Sequence, residues 1–258
     1  MSGVSTRFGT PTAALSPNRR IVPPRTPRFP SPRTERITLL LVRHGARYDY
    51  ANKEAWAARC KAVGAEHSDP PLSALGHLQA RETATALARE APDCILSSPY
   101  LRVLQTAQPL AHAIGLPIRV EHCLAEFGHS PQRIPAAAAR VPILPEVDED
   151  YEPLLDRACR GIDPITGKEP TTEYLRRLLL FREELRHSRW YGKTIVCFSH
   201  AASVALVGAL TGCATLVEAG CFAPCAIASP PLVARAPRPV PLGLAVWCSR
   251  VRHGVLLP

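Results

Sequence analysis

The sequence predicts an α/β fold, a three-layer α/β/α sandwich built on a mostly parallel, doubly wound sheet. Short runs of β-branched and leucine residues, apolar on both faces, alternate with longer segments in which apolar residues recur at helical spacing. Strands of this kind belong to parallel sheets that helices cover on both sides. With 46% hydrophobic residues, the 258-residue chain has enough apolar surface for one large domain.

The first half of the predicted domain alternates strand and helix. Arg36–Arg43 is predicted to be a strand buried on both faces, and an irregular polar stretch follows it. Ser73 can cap a helix that runs to about Glu90, and Cys94–Pro99 is a second short strand that meets a turn. The next helix has apolar residues at helical spacing: Leu101, Leu104, Ala107 and Leu110.

The second half continues the alternation after an interruption. Ile118–Glu121 is a third strand candidate, and residues 126–170 hold many Pro, Asp and Glu with little regularity, which indicates an insertion over an active-site face. A helix is predicted from Thr172 to about His187. Lys193–His200 is a fourth buried strand that runs directly into a helix of small residues, Ala201–Leu210.

The two ends of the chain differ in composition from this domain, which we place at residues 35–229. Residues 1–34 contain six arginines, no acidic residue and almost no apolar periodicity, which predicts a disordered, basic, Pro-rich tail. A transit peptide for an organelle and a docking segment for Pro-binding modules are the alternatives. Residues 230–258 mix Pro, Arg and short apolar pieces, with one strand candidate at 242–247 that could be the last strand of the domain.

Charge and cysteine content argue against several classes of protein. The formal net charge is +9, but the tail supplies +6 of it, so the remainder gives little support for a nucleic-acid partner. Nine scattered cysteines do not resemble a secreted disulfide scaffold and favour a reducing, cytoplasmic compartment. Cys221 and Cys225 lack the second pair of ligands that a zinc site needs. Because no stretch of about 18 apolar residues is present, we expect a soluble protein with no membrane partner.

Two predicted strands end in a histidine, His44 after the first and His200 after the fourth. Because ligands of open α/β sheets bind at the carboxyl ends of the strands, both imidazoles should face one crevice. Arg43 precedes His44, and Arg102 lies one turn into the helix after the second strand. A phosphoryl group needs such planar cationic donors and a nucleophile in line with it. Taken singly, each of these residues is more often a surface or satisfied core residue.

Four motifs, in this order, resemble those of the histidine phosphatase (phosphoglycerate mutase-like) superfamily. They are Leu41–Gly45, Leu72–Ala80, Ile95–Ala107 and Ile195–His200. The resemblance covers residues 37 to about 215 and implies a phosphoglycerate mutase-like fold.

The resemblance also implies roles for individual residues. His44 would be the nucleophile, and Arg43, Arg102 and His200 would form the phosphate pocket. An acid is expected in the segment after the third strand, and there we take Glu126 as the proton donor. The alternative for Glu126 is an ordinary surface carboxylate.

A finer resemblance points to the phosphatase domains of the suppressor-of-T-cell-receptor-signalling proteins. It rests on Arg47 and Asp49, Trp56 and Cys60, and the segments Asp69–Ser73 and Asp148–Tyr151. It implies that Arg47 is an additional phosphate ligand; the alternative is a solvated loop arginine. Ala46 stands where many family members have Glu, which weakens a mutase interpretation, and the stretch after Pro230 does not match the family.

Together these features predict a phosphoric monoester hydrolase of the histidine acid phosphatase type. It would work through a phosphohistidine, without a metal or another cofactor. The substrate is expected to be a phosphorylated small molecule or a phosphoprotein, and a homodimer is left open. The alternatives are a catalytically inactive interaction subunit that keeps the phosphatase fold and a phosphoglycerate mutase.

Overall fold

The central sheet is mostly parallel, as predicted, and helices cover both of its faces. The computed structural model describes residues 36–128, 139–154, 161, 163–204, 223–225, 227–228 and 231–233. The predictions for the tail 1–34, for Cys221 and for a strand at 242–247 lie outside these residues.

The sheet has the spatial order β3-β2-β4-β1-β5, and β6 also pairs with β1. The strands are β1 Arg36–Arg43, β2 Cys94–Ser97, β3 Ile118–Val120, β4 Thr194–Ser199, β5 Ile227–Ala228 and β6 Pro231–Val233. The first four strands pair in parallel, whereas β5 and β6 are antiparallel to β1. The carboxyl ends of β1 and β4 therefore lie side by side near the centre of the sheet.

Five α-helices with assigned bounds surround this sheet. They are α1 Tyr48–Ala51, α2 Lys53–Val63, α3 Ala74–Ala88, α4 Leu101–Ile114 and α5 Thr171–Glu184. A further helical turn, residues 201–204, follows β4 directly. In the part of the chain that the structure describes, no helix is long and apolar enough to cross a bilayer.

The ends of two helices follow the rules that predicted them. The Ser73 side chain accepts a hydrogen bond from the main-chain nitrogen of Gly76 and so caps α3. Gly115, at φ 69°, ends α4 in the left-handed conformation that glycine adopts without steric cost.

The prediction of an irregular stretch between the first strand and Ser73 is wrong, because α1 and α2 lie there. α2 buries Trp56 and Cys60, which are four residues apart on one face of the helix. The Trp56 indole nitrogen also donates to the carbonyl of His67, at 3.1 Å. One pair of large buried residues in a segment whose other apolar residues are alanines and a valine gives only a weak periodic signal.

Alternate residues of β1 enter separate cores on the two faces of the sheet. Leu39 and Leu41 pack in one core with the apolar face of α5. Leu40 and Val42 lie in the other core, with residues of α3 and α4. Both sets are buried, as the all-apolar strand pattern predicted, and the three-layer arrangement follows from this alternation.

The described part of the insertion lies along β3. Ile118 donates to the carbonyl of Glu146 at 2.7 Å, and Asp148 donates to the carbonyl of Ile118 at 2.9 Å. These bonds form an isolated parallel bridge between Val147 and Ile118 of β3. The insertion is therefore joined to the edge of the sheet.

Candidate active site

The carboxyl ends of β1 and β4 bring two imidazoles together. Arg43 and Ser199 are partners in the parallel register, so the residue that follows each strand is a histidine, His44 or His200. The His44 main-chain nitrogen donates to the Ser199 carbonyl at 3.0 Å. The two imidazole rings are 5.4 Å apart between centroids and meet edge to face. The two imidazoles therefore lie together at this end of the sheet, as the residues that follow the strands led us to expect.

His44 is buried, and a hydrogen bond fixes its tautomer. Its Nδ1 lies 2.8 Å from the carbonyl oxygen of Gly45, which can only accept, so Nδ1 carries the proton. Burial and the nearby His200, Arg102 and Arg43 lower the pKa of His44 to about 2, against a lesser opposing effect of the Gly45 hydrogen bond. The imidazole is therefore neutral, and its Nε2 has a free lone pair. A neutral imidazole in this state is a competent nucleophile.

Close packing of main chain against main chain holds the His44 loop. A Cβ atom on Gly76 would overlap the Ala46 carbonyl oxygen, and one on Gly45 would lie 2.8 Å from the Gly76 carbonyl oxygen. The Gly45 nitrogen also donates to the Thr106 hydroxyl at 3.0 Å. Both glycines are needed because the loop and the start of α3 approach more closely than any side chain permits.

Arg102 is fully buried beneath the two histidines. Its Nη1 donates to the Ser68 carbonyl at 3.1 Å, and its Nη2 lies 3.2 Å from Nδ1 of His200 and 3.5 Å from Oε2 of Glu126. The guanidinium also stacks on Tyr100, at 4.5 Å from the ring centroid. Burial lowers the pKa of Arg102, against the opposing charge of Glu126, but a guanidinium remains a cation in proteins.

His200 and Glu126 are in direct contact. Nδ1 of His200 lies 3.1 Å from Oε2 of Glu126, and its Nε2 lies 2.8 Å from the Ser98 hydroxyl. Burial lowers the pKa of His200 to about 4, although the Glu126 charge opposes the shift. Burial raises the pKa of Glu126, but the interactions with His200 and Arg102 outweigh it and bring that pKa below its usual range.

One nitrogen cannot both donate to Glu126 and accept from Arg102. We assign the Nδ1 proton of His200 to the bond with the ionised carboxylate, so that Nε2 accepts from the Ser98 hydroxyl. Arg102 then interacts with His200 by charge alone and pairs with Glu126.

The remaining two predicted phosphate ligands, Arg43 and Arg47, have different surroundings. Arg43 is half-buried at the end of β1, and its charge contributes to the lowered pKa of His44. Arg47 forms a two-pronged ion pair with Asp49, with distances of 2.9 and 2.6 Å, and its guanidinium lies 4.5 Å from the centroid of the Tyr50 ring. Arg47 is therefore already engaged with a carboxylate, and its role as a phosphate ligand stays a prediction.

The chemistry of this cluster favours an anion over a metal ion. One donor atom from each of His44, Glu126 and His200 lies within 4.8 Å of the others, which is close enough to hold a cation. The buried Arg102 guanidinium touches two of these three residues, and its charge opposes a second cation at that distance. The Glu126 carboxylate already lies on the donors that a phosphate oxygen would use.

Several residues of the site were not predicted. Ser98, whose hydroxyl bonds to His200, lies within the Ile95–Ala107 motif but was not singled out there. Asp69 accepts from the Leu101 nitrogen at 2.7 Å and pairs with Arg140, which fixes the start of the helix that carries Arg102. The Asp-Pro-Pro triplet was a signal for Asp69, whereas nothing in the sequence marked Arg140.

Comparison with known proteins identifies a family for this chain. Residues 39–215 match the family model of the histidine phosphatase superfamily (branch 1). Phosphoserine phosphatase 1 of Hydrogenobacter thermophilus is 30% identical over 145 residues, which cover 56% of this chain and 66% of that protein. The transcription factor tau 55 kDa subunit of Saccharomyces cerevisiae is 30% identical over 100 residues, 38% of this chain and 22% of that protein. The chain spans less than two thirds of either relative.

A solved structure is similar in fold. The ecdysone phosphate phosphatase of Bombix mori, in complex with tungstate, has a TM-score of 0.59 at 18% identity and covers 81% of this chain and 95% of its own. The family model matches well over half of the chain and includes both histidines and Arg102. The chain therefore belongs to branch 1 of the histidine phosphatase superfamily.

Proposed function

We propose that this protein is a phosphatase that hydrolyses phosphate monoesters through a phosphohistidine on His44. One observation carries the proposal: a buried, neutral imidazole with its Nδ1 proton committed to Gly45 lies beside a buried guanidinium and a carboxylate. The first group supplies a nucleophile, the second neutralises phosphate charge, and the third can transfer a proton.

In the first step, Nε2 of His44 attacks phosphorus, and the bond between phosphorus and the leaving oxygen breaks. Arg102 and Arg43 would neutralise charge on the equatorial oxygens, where most of the catalytic free energy of phosphoryl transfer lies, and the Nδ1 proton of His200 would donate to one of these oxygens. Glu126 gives its proton to the leaving oxygen, so that the alcohol departs neutral. In the second step, Glu126 takes a proton from water, and the hydroxide attacks the phosphohistidine to release phosphate.

The proton donor must be protonated before the first step, yet the interactions with His200 and Arg102 lower the pKa of Glu126 and keep it ionised. A substrate dianion that reaches the same donors would displace the carboxylate from them and add a nearby negative charge. Both effects raise the pKa of Glu126 and favour uptake of a proton. Substrate binding would thus bring about the protonation of Glu126 that the first step requires.

The substrate is proposed to be a phosphorylated small molecule or a phosphoprotein. The names of two relatives support a phosphate monoester as the substrate class, since one is a phosphoserine phosphatase and another an ecdysone phosphate phosphatase. We further propose that the chain lies near the suppressor-of-T-cell-receptor-signalling branch, with Arg47 as an additional ligand after its pair with Asp49 loosens.

A second candidate is an inactive subunit that uses the fold for interaction. The similarity to the tau 55 kDa subunit of a transcription factor favours it. Against it, Arg43, His44, Arg102, Glu126 and His200 are all present, and the described contacts bring the last four together. Loss of catalysis would leave no reason to keep this complete set.

Rapid quench with ³²P-labelled substrate tests the proposal. The wild type should trap a phosphoenzyme that is labile in acid and stable in base, and His44→Ala should trap none and lose turnover while it remains folded. His112→Ala is the matched control, since that side chain is 84% exposed and should behave as the wild type. An acid-stable phosphoenzyme, or turnover that survives in His44→Ala, would overturn the mechanism.

A further inference from the structure

A second arginine is buried near the site, and no step of the proposed mechanism uses it. Arg177 lies on the apolar face of α5 with Tyr174, Leu178 and Phe181, and its side chain is 1% exposed. Its partner Glu169, just before the helix, is also 1% exposed. The pair is joined at 2.6 Å through Nε and at 3.0 Å through Nη2.

The remaining donors of Arg177 all reach the loop that carries Glu126. Nη1 donates to the Cys123 carbonyl, and Nη2 lies 2.7 Å from the Ala125 carbonyl and 3.3 Å from the Glu126 carbonyl. A single guanidinium thus binds the main chain on both sides of Leu124 and at the acid itself.

Stability alone is a poor explanation for this arrangement. A buried ion pair costs desolvation that it often fails to recover, and an apolar side chain of similar volume stabilises a core as well or better. On the same face of α5, Leu178 and Phe181 fill the core without a charge. What a guanidinium adds is a set of directed donors, and here they converge on carbonyls that, among the described residues, accept no main-chain hydrogen bond.

Two hydroxyl groups bind the same loop from the strand end. Ser199 donates to the Leu124 carbonyl at 2.6 Å, and Ser203 donates to the Ala125 carbonyl at 3.3 Å. The Tyr174 hydroxyl lies 2.9 Å from Ser203, which links α5 to the segment after β4. These bonds join the loop to the strand that ends in His200, so a fixed main chain also fixes the distance from the acid to the imidazole.

We propose that Arg177, with Glu169 as its counter-ion, is a positioning residue that holds the main chain at Ala125 and Glu126 so that the Glu126 carboxyl group reaches the leaving oxygen. The inference rests on the proposed role of Glu126 as proton donor. Arg177 itself touches neither substrate nor the reacting atoms.

Arg177→Lys tests the inference because lysine keeps the charge beside Glu169 but cannot span a carboxylate and several carbonyls at once. Turnover of a phenylalkyl phosphate, a poor leaving group, should fall roughly 10- to 100-fold. Turnover of p-nitrophenyl phosphate, which needs little protonation, should fall less than about threefold, with KM little changed for either ester. Arg176→Lys, on the exposed side of the same helix, is the matched control and should match the wild type.

The double variant Arg177→Lys/Glu126→Gln separates positioning from general destabilisation. If Arg177 acts through Glu126, the double variant should turn over the alkyl ester no more slowly than Glu126→Gln alone. Additive losses, or equal losses on both esters, would overturn the inference. Glu169→Gln gives the same readout if Arg177→Lys does not fold, as judged by circular dichroism and melting. Should Glu126→Gln itself show no dependence on the leaving group, the acid assignment would fail first, and the inference with it.

Discussion

The two sides of the candidate site are built in different ways. On the nucleophile side, His44 follows a parallel strand, and its main chain is bonded to Ser199 of the neighbouring strand. On the acid side, Glu126 lies in a loop that Arg177 and hydroxyl groups hold from other elements. The strand that positions His44 is marked by an apolar pattern directly before that residue, whereas the side chains that hold the Glu126 loop come from separate segments that carry no such local pattern. The nucleophile side can therefore be recognised in the sequence as a motif, whereas the contacts that hold the acid side cannot.

After the loss of turnover expected for His44→Ala, the largest expected effect comes from Arg102, which contacts Glu126 and whose charge helps to lower the pKa of His44. Arg102 contacts both His200 and Glu126, so Arg102→Lys should lower kcat/KM about 10²- to 10³-fold, because a single ammonium cannot replace a guanidinium that serves both. Steady-state kinetics on p-nitrophenyl phosphate would measure it. Arg119→Lys, on β3 and paired with Asp148, is the control and should change little. A loss below about tenfold would mean that the two sides work independently.

A smaller effect should appear in stability on the nucleophile side. The pKa of His44 is about 2 in the folded protein against 6.5 for the free side chain, so the unfolded chain binds the proton first as pH falls. Stability should thus decrease from pH 7 to pH 5, and His44 alone should account for roughly 2 kcal/mol of the decrease.

Urea unfolding at pH 7 and pH 5 would measure this contribution. His44→Ala removes the imidazole, so its free energy of unfolding should depend less on pH than that of the wild type. His112→Ala should keep the wild-type dependence because its side chain is largely exposed. Identical pH dependence in wild type and His44→Ala would show that the imidazole is not held neutral by its burial.

Removal of metal ions is expected to have no effect on activity. Prolonged dialysis against EDTA should leave kcat/KM unchanged, because Arg102 supplies beside His200 and Glu126 the positive charge that a metal ion would bring. A loss of activity that added Zn²⁺ or Mg²⁺ restores would assign the two histidines and the carboxylate to a metal, and both sides of the site would then need a new interpretation.

The same comparison explains how much could be predicted from sequence. The four parallel strands and the positions of His44, Arg102 and His200 follow from apolar runs and the residues that end them. α2 was not predicted, since it buries only two residues and its other apolar residues, alanines and one valine, mark no clear apolar face. Arg177 had a weak signal, a charge at a position where the helical spacing of α5 requires an apolar residue. The pairing of Asp69 with Arg140 joins segments about 70 residues apart, and no local pattern records such a contact.

The close approach of Gly45 and Gly76 has a consequence for any redesign of this site. Because main chain rests on main chain there, neither glycine can gain a side chain without moving the His44 loop away from the start of α3. Only side chains that bond to the loop, such as Thr106, could adjust its position, whereas Tyr50 and Phe127 are exposed and can vary more freely. A different ligand would therefore be accommodated at exposed positions of this kind, around a loop whose two glycines are kept.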